Sequence, residues 1–305
     1  MESNVVTTEH NINSIFSRLL IYKWVVVVGT LLSVVASIYV AKDQPNKYTT
    51  KVYLVPSNSK EGGGLSKLAG QFGGLASMAG ISLGGSEGND VDTAIEFMLS
   101  RGFLQPFIEK RKLLPDILAL EKWERDTNVY VYDPKIYDAK KQLWVRSAPP
   151  GKKVIPTAWE GYISLLGNID ILYMKKKGLV ELKVTSLSPE LSVNIATWLI
   201  EDINEFWRVK DKREAEEAIN YLKEKAAETS VAELRSVFYE LIAEQTRSKL
   251  LSSIGDYHLL KPLAPVVYPE EKSGPSRALI CLGISFLGGL FSLIVAFILA
   301  LKSKV

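Results

Sequence analysis

The chain has 305 residues, of which 47% are hydrophobic and 23% are charged, a composition that excludes a disordered or low-complexity protein. A formal net charge of +3 gives no support to nucleic-acid binding through bulk electrostatics, so we expect no nucleic-acid partner. The single cysteine and the two widely separated histidines exclude an intramolecular disulfide and argue against a metal site or a catalytic triad built on them. We expect no metal, no other cofactor and no catalytic residue.

The first strong feature is an uncharged apolar stretch of eighteen residues, 24–41, which follows an N-terminal tail of residues 1–23. A helix crosses a bilayer with about 20 apolar residues, so this stretch predicts a first transmembrane helix. The alternatives are the buried core helix of a soluble protein and the apolar region of a cleaved signal peptide. Because the stretch is longer than a typical signal region and a tail precedes it, the transmembrane interpretation is favoured.

Three features follow the first apolar stretch. Residues 48–55 are rich in β-branched and aromatic side chains and predict a strand. Ten glycines fall within residues 62–88, interleaved with apolar side chains, which predicts a loosely helical segment that needs a partner surface. Asp90 or Asp92 is a candidate N-cap for a helix that ends near Lys112.

A mixed α/β base is indicated by strand-like segments close to both ends of the central region. Residues 169–174 and 179–185 are joined by a polar turn that contains Gly178, which predicts a β-hairpin. Residues 262–268 are held extended by their prolines and are a candidate edge strand. Helical patterns lie between these strands, as expected for an α+β fold.

The strongest helical signal covers residues 190–254, which contain no glycine and no proline. Their apolar positions recur at spacings of three and four, and Ser188 and Pro189 are suited to the start of a helix. A single helix of this length would measure about 100 Å at ~1.5 Å per residue, which is more than one chain of this size can bury. The alternative is a break into two helices at 210–217 or 227–233, where charged residues dominate.

If the long helix is continuous, its apolar stripe must pack on neighbouring copies. The face through Phe206, Leu222 and Val237 is therefore a candidate subunit contact, with core packing inside one chain as the alternative.

The approach to the C-terminal end is rich in proline. Four prolines, which fix φ and cannot continue a helix, predict a stiff strut: Pro262, Pro265, Pro269 and Pro275. An ordinary linker is the alternative. Residues 278–301 then form a second uncharged apolar stretch, which predicts a second transmembrane helix followed by a tail of residues 302–305.

Small side chains recur every four residues in both apolar stretches, which places each set on one helix face. The first set is Gly29, Ser33, Ser37 and Ala41, and the second is Gly288, Ser292, Ala296 and Ala300. Small residues allow helices to approach closely in lipid, so we predict a packing face on each helix. Its partner is the other span, a second copy or a different membrane protein such as a polymerase.

Two membrane crossings place both tails on one side and the 236 residues of segment 42–277 on the other. We expect cytoplasmic tails and an exported central domain, because long domains cross a membrane largely regardless of their charge. Basic residues flank both ends of the crossings and do not settle the orientation. The absence of cysteine from the central domain fits an oxidising compartment.

This order of elements resembles the polysaccharide co-polymerases, the Wzz-type chain-length determinants of bacterial inner membranes. Five stretches carry the resemblance over nearly the whole chain: YTTKVYLVP at 48–56, GGLASMAGISLG at 73–84, residues 94–107 with SRGF at 100–103, LSPELSVNIATWLIEDIN at 187–204, and the Pro/Gly-rich approach at 262–275 with Gly283, Gly288 and Gly289. Each stretch alone is an unspecific signal, and the resemblance rests on the order in which all five occur.

The resemblance implies an α+β membrane protein of the bacterial inner membrane, with a periplasmic mixed α/β base, one very long extended helix and copies assembled into a ring. It also implies a non-enzymatic regulator that works with a Wzy-type polymerase and sets the length of a lipid-linked polysaccharide, first of all O antigen. The short C-terminal tail and the lack of a Walker motif indicate the branch without a kinase.

Two other functions stay open at this point. One is an inner-membrane scaffold for the polymerisation and export of exopolysaccharide or capsule. The other is a two-span receptor whose long helix relays a ligand signal, which the short tails disfavour because they leave no output domain.

Overall fold

The computed structural model of the protein describes residues 22–57, 87–252 and 255–302. Residues 62–86 of the predicted glycine-rich segment lie outside the described residues. The chain divides into two units, one formed by Tyr48–Glu271 and the other by the segments before and after it.

The described residues form helices and strands in the following chain order: α1 (Lys23–Asp43), β1 (Tyr48–Pro56), α2 (Glu87–Leu99), α3 (Arg101–Arg111), α4 (Leu114–Leu118), β2 (Leu120–Glu124), β3 (Val129–Tyr132), β4 (Tyr137–Asp138), β5 (Leu143–Trp144), α5 (Ala158–Leu166), β6 (Ile169–Met174), β7 (Leu179–Ser186), α6 (Pro189–Glu228), α7 (Ala232–Ser252), β8 (Leu260–Pro262) and α8 (Arg277–Lys302).

The central unit is built on a four-stranded antiparallel sheet with the order β6-β7-β1-β8. Alternate residues of β1 point to opposite faces, so Val52 and Leu54 are buried while Lys51 and Tyr53 are exposed. The predicted strand β1 and the predicted hairpin of β6 and β7 are confirmed. Gly178 closes the hairpin turn with a φ of 63°, a backbone conformation that glycine adopts at little cost.

The predicted edge strand is present but short. β8 pairs with β1 over three residues and begins two residues before Pro262. Pro265 cannot donate a hydrogen bond to a sheet, so the strand does not extend to residue 268.

The single helix predicted to run from Asp90 or Asp92 to Lys112 is wrong, because the structure has two helices there. The first helix, α2, begins at Glu87. Ser100 adopts an extended backbone, with φ −73° and ψ 155°, and starts α3 by accepting the backbone N–H of Leu104 at 3.0 Å.

The long helix is confirmed, but it ends at Glu228 rather than at residue 254. Thr229 has an extended backbone, with φ −80° and ψ 134°, and α7 begins three residues later. The break therefore falls at the second of the two predicted places. The sequence Thr229-Ser230-Val231 contains two β-branched residues and a serine, which favour helix less than the residues on either side.

A core of apolar side chains lies between the sheet and the helices packed against it. Strands β1 and β7 bury their inner faces against α6, and α3 packs on α5. The largest fully buried side chains are Leu54, Met98, Leu104, Ile108, Leu113, Leu165, Leu182, Leu199, Ile200, Ile203, Leu260 and Val180. This core holds the first part of α6 in place, which positions the functional surfaces described below.

A partly buried ion pair ties the irregular chain before α5 to the N-terminal end of that helix. Arg146 donates to both carboxylate oxygens of Glu160, at 2.7 and 3.0 Å, and these hydrogen bonds lower the pKa of Glu160 from 4.5 to about 2. The carboxylate also accepts the backbone N–H of Thr157 as part of a capping box.

The free energy of unfolding is expected to fall as the pH drops from about 4.5 towards about 2. A carboxylate whose pKa is lowered in the folded state stabilises the protein above its unfolded pKa, and protonation removes that contribution below it. Urea unfolding of the full chain in a non-ionic detergent measures this. Glu160→Gln should weaken the dependence in this pH range, and Glu121→Gln, an exposed control, should not. Equal pH profiles for both variants would contradict the assignment.

The second unit contains the two apolar helices, α1 and α8. Both are long and apolar enough to cross a membrane, with mean hydropathies of 2.2 and 2.5. They include the predicted segments 24–41 and 278–301 and extend slightly beyond them at both ends.

Candidate functional site

The small-residue faces of α1 and α8 pack against each other. Gly29 lies beside Ser292, and Gly288 lies beside Ser33. A methyl group added to either glycine would overlap the facing serine side chain, so the helices are as close as their backbones allow. Ser37 and Ala296 are fully buried in the contact.

The hydroxyl groups in this contact are satisfied locally. Ser33 donates to the carbonyl oxygen of Thr30 at 2.8 Å, Ser37 to that of Val34 at 2.7 Å, and Ser292 to that of Gly288 at 2.8 Å. One contact between hydroxyls joins the two helices, Ser37 with Ser285 at 3.4 Å. Close packing therefore contributes more to the pairing than hydrogen bonding does.

The two predicted stripes thus meet within one chain. Of the three possible partners of each stripe, the structure places the other span against Gly29, Ser33, Gly288 and Ser292. The side chain of Ala300 lies outside the described part. A contact of these residues with a polymerase or a neighbouring copy stays a prediction, and the outward faces of the pair are large and apolar. Examples on those faces are Leu32, Val35, Phe286 and Phe291.

The two apolar helices are joined at the end where each connects to the central unit. Lys47 and Gly274 form a β-bridge, in which the backbone N–H of Lys47 donates to the Gly274 carbonyl oxygen at 2.8 Å. Arg277 donates to the side-chain oxygen of Asn46 at 3.2 Å. The C-terminal end of α1 and the N-terminal end of α8 therefore lie side by side.

The four prolines of the predicted strut occupy different settings. Pro262 is the last residue of β8, while Pro265 and Pro269 lie in a mostly exposed stretch without helix or strand. Pro275 follows a cis peptide bond at Gly274 and lies two residues before the start of α8. A mechanical role for this strut stays a prediction.

Helices α6 and α7 form a helical hairpin, and its tip has a small core of its own. Leu222 and Ala226 of α6 pack on Phe238 and Leu241 of α7, and Val237 covers them. Lys249 pairs with Glu216 at 2.8 Å on the same hairpin. The expectation that the whole stripe needs neighbouring copies is therefore wrong for this part, because α7 folds back and covers it.

The predicted subunit-contact residues are not brought together. Leu222 and Val237 meet inside the hairpin of one chain, as the alternative proposed. Phe206 lies elsewhere, stacked on Phe97 of α2 with ring centroids 4.3 Å apart, and it is 41% exposed. A contact of these residues between copies stays a prediction.

Three polar residues of α6 hold the segment that returns from α7 to the sheet, and we name them the polar clasp: Asn204, Arg208 and Asp211. They lie on one helix face at spacings of four and three. Arg208 donates to the carbonyl oxygens of Gly255 and Asp256 at 3.1 and 3.0 Å. Asp211 lies 2.8 Å from Nε2 of His258, which is buried.

Asn204 makes the most contacts of the polar clasp. Its Oδ1 accepts the backbone N–H groups of Leu259 and Leu260 at 2.7 and 3.0 Å, and its Nδ2 donates to the Leu260 carbonyl oxygen at 2.8 Å. The side chain is only 1% exposed. Sequence reasoning missed this residue, although an asparagine within an apolar helix face is a usable signal of a buried polar contact.

A polar cavity of about 350 Å³ lies beside the polar clasp, and its lining is Glu201, Asp202, Glu205, Arg208, Asp256 and Tyr257. Asp202 is paired with Lys110 and Arg111, each at 2.8 Å. No nucleophile stands next to a general base in this lining, and the described residues contain no group of three His, Cys, Asp or Glu side chains that could hold a metal ion.

Comparison with known proteins finds similarity among solved structures. The sequence matches no protein-family model and no curated protein. One of these structures is described as a "full-length bacterial polysaccharide co-polymerase", is 11% identical, and aligns over 92% of this chain and 94% of its own with a TM-score of 0.32. At this identity and TM-score, the function proposed below rests on the residues of this chain and not on the match.

Proposed function

We propose that the protein is a polysaccharide co-polymerase, a non-enzymatic regulator that sets the chain length of a lipid-linked polysaccharide. The observation that carries the proposal is the arrangement of its anchors. Two apolar helices pack through matched small-residue faces, and a 236-residue segment is inserted between their paired ends. This is the architecture that the sequence resemblance implies.

The order of elements within the inserted segment supports the same proposal. Strand β1 begins five residues after α1, in the stretch that resembles the first strand of the family. The long helix α6 begins at Pro189, inside the stretch LSPELSVNIATWLIEDIN that resembles the family's long helix. Strand β8, the last of the segment, pairs with β1.

In the proposed topology, both tails are cytoplasmic and residues 42–277 are periplasmic, in a bacterial inner membrane. Copies of the chain form a ring and act with a Wzy-type polymerase on O antigen. The outward apolar faces of α1 and α8 are the surfaces that such a polymerase would meet in the membrane, because the small-residue faces are occupied within the chain.

The proposal is tested by deleting the gene and separating the lipopolysaccharide of the mutant by gel electrophoresis. We expect long chains to lose their preferred length, and a plasmid copy of the gene to restore it. A ladder of chain lengths identical to that of the parent strain would overturn the O-antigen role. Lost secretion of exopolysaccharide with unchanged lipopolysaccharide would support the scaffold function instead.

A further inference from the structure

Four basic side chains lie where the apolar helices connect to the central unit, and we name them the basic collar: Lys42, Lys47, Lys272 and Arg277. Lys42 is in the last turn of α1, and Arg277 is the first residue of α8. Segments 42–47 and 272–277 contain these four cations and a single carboxylate, that of Asp43. Glu270 and Glu271 directly precede Lys272, so four cations lie beside three carboxylates and leave an excess of one positive charge at this end of the helix pair.

Backbone pairing brings the two segments together. The Lys47 carbonyl oxygen accepts the backbone N–H of Ser273 at 2.8 Å, which places Lys272 next to Lys47. Arg277 reaches back across the gap to the side chain of Asn46. The cations from the two crossings therefore form one patch.

The charge of the basic collar is not neutralised within the described part of the chain. No carboxylate among residues 22–57, 91–250 and 255–299 forms an ion pair with any of the four, whereas Lys110, Lys175 and Lys183 of the central unit are all paired. Within the same part of the chain, Arg277 donates to two neutral acceptors, the Asn46 side chain at 3.2 Å and the Gln44 carbonyl oxygen at 3.5 Å. Its Nε is buried without an acceptor. A guanidinium in this state favours an added anion.

The basic collar lies at the ends of helices that are long and apolar enough to cross a membrane, so it would be at the depth of the lipid phosphates. In the proposed topology this is the exported side, where the positive-inside rule gives no reason for an excess of cations. We propose that the basic collar binds the phosphate group of an anionic membrane lipid. The proposal requires only that α1 and α8 cross a membrane, and not that the protein regulates a polymerase.

Two sources present the same chemistry, a phospholipid headgroup and the diphosphate of a lipid-linked glycan. The full chain is purified in a maltoside detergent and titrated with phosphatidylglycerol, neutral phosphatidylcholine or a polyisoprenyl diphosphate, and bound lipid is counted by native mass spectrometry. We expect an anionic lipid to be retained in preference to phosphatidylcholine. The stronger of the two anionic ligands identifies the source, and retention of neither overturns the proposal.

The triple variant Lys47→Gln/Lys272→Gln/Arg277→Gln should bind the anionic lipid at least about tenfold more weakly, since each basic residue near a membrane surface contributes several-fold to anionic lipid binding. The charge-conserving variant Lys47→Arg/Lys272→Arg should retain binding, which separates loss of charge from damage to the fold. The matched control Lys140→Gln/Lys176→Gln/Lys177→Gln removes three exposed cations from the central unit and should leave binding unchanged. Equal affinities of the triple variant and this control would overturn the proposal.

Discussion

Replacing Gly288 with leucine is expected to separate the two apolar helices. A Cβ atom at this position would overlap both the Cβ atom and the hydroxyl oxygen of Ser33, and rotation of the serine side chain moves only the hydroxyl, so it cannot make room. Lipid supplies no hydrophobic force that would press the helices together, so close packing has to hold them. The loss of that packing removes the main interaction between the helices.

Disulfide formation across the helix pair measures this effect directly. The hydroxyl oxygens of Ser37 and Ser285 lie 3.4 Å apart, so Ser37→Cys/Ser285→Cys places two thiols within bonding reach. Cys281 is replaced with serine so that it cannot compete. Oxidation of this double-cysteine protein should form a disulfide between α1 and α8. After protease cleavage of the central unit, the two end fragments should then stay joined by that disulfide. With Gly288→Leu, the link should fall to background.

The same helix provides a matched control. A Cβ atom at Gly283 would meet nothing within 4 Å, so Gly283→Leu adds the same side chain without a clash. It should leave the disulfide yield unchanged, while Gly29→Leu, which meets Ser292, should lower it as Gly288→Leu does. Full disulfide formation in both clashing variants would show that the stripes do not form the contact. Under the proposed function, those two variants should also disturb chain length.

The elements that could be predicted from the sequence are those fixed by local patterns. Apolar length alone locates α1 and α8, and alternation of β-branched and aromatic side chains locates β1, β6 and β7. The small strands β2 to β5 were not predicted, because runs of two to five residues carry too little periodicity. Helix α5 is too short for a clear periodicity, and its sequence signal is the capping box, Thr157 followed three residues later by Glu160.

Partner choice is the part that local patterns could not supply. The stripes of Gly29 and Gly288 predict a packing face but not which helix covers it, since 259 positions separate them in the sequence. Leu222 shows the same limit. Its position on an apolar face is evident, but whether a second copy or α7 covers it depends on the reversal at Thr229, where charged and β-branched residues only weaken a helix.

The second large effect is expected for Asn204→Ala. The substitution removes one acceptor and one donor that together satisfy the backbone N–H groups of Leu259 and Leu260 and the Leu260 carbonyl oxygen. These groups would remain buried without partners, and each unsatisfied buried group costs roughly 1–3 kcal/mol. We therefore expect the free energy of unfolding to fall by about 3–5 kcal/mol, a large share of the ~5–15 kcal/mol that holds an ordinary domain together.

Asn220→Ala is the matched control, because Asn220 is exposed on the same helix and its replacement leaves no buried group unpaired. Urea unfolding followed by tryptophan fluorescence gives the free energies of both variants. Hydrogen exchange then shows where the loss acts. The amides of Leu259 and Leu260 should exchange faster in Asn204→Ala. β8 pairs with β1 on one side and contacts the polar clasp on the other, so the variant removes one of these two attachments. If both variants unfold like the parent and these amides stay protected, water or neighbouring backbone satisfies the polar groups of Leu259 and Leu260. The polar clasp would then not be what holds β8 in place.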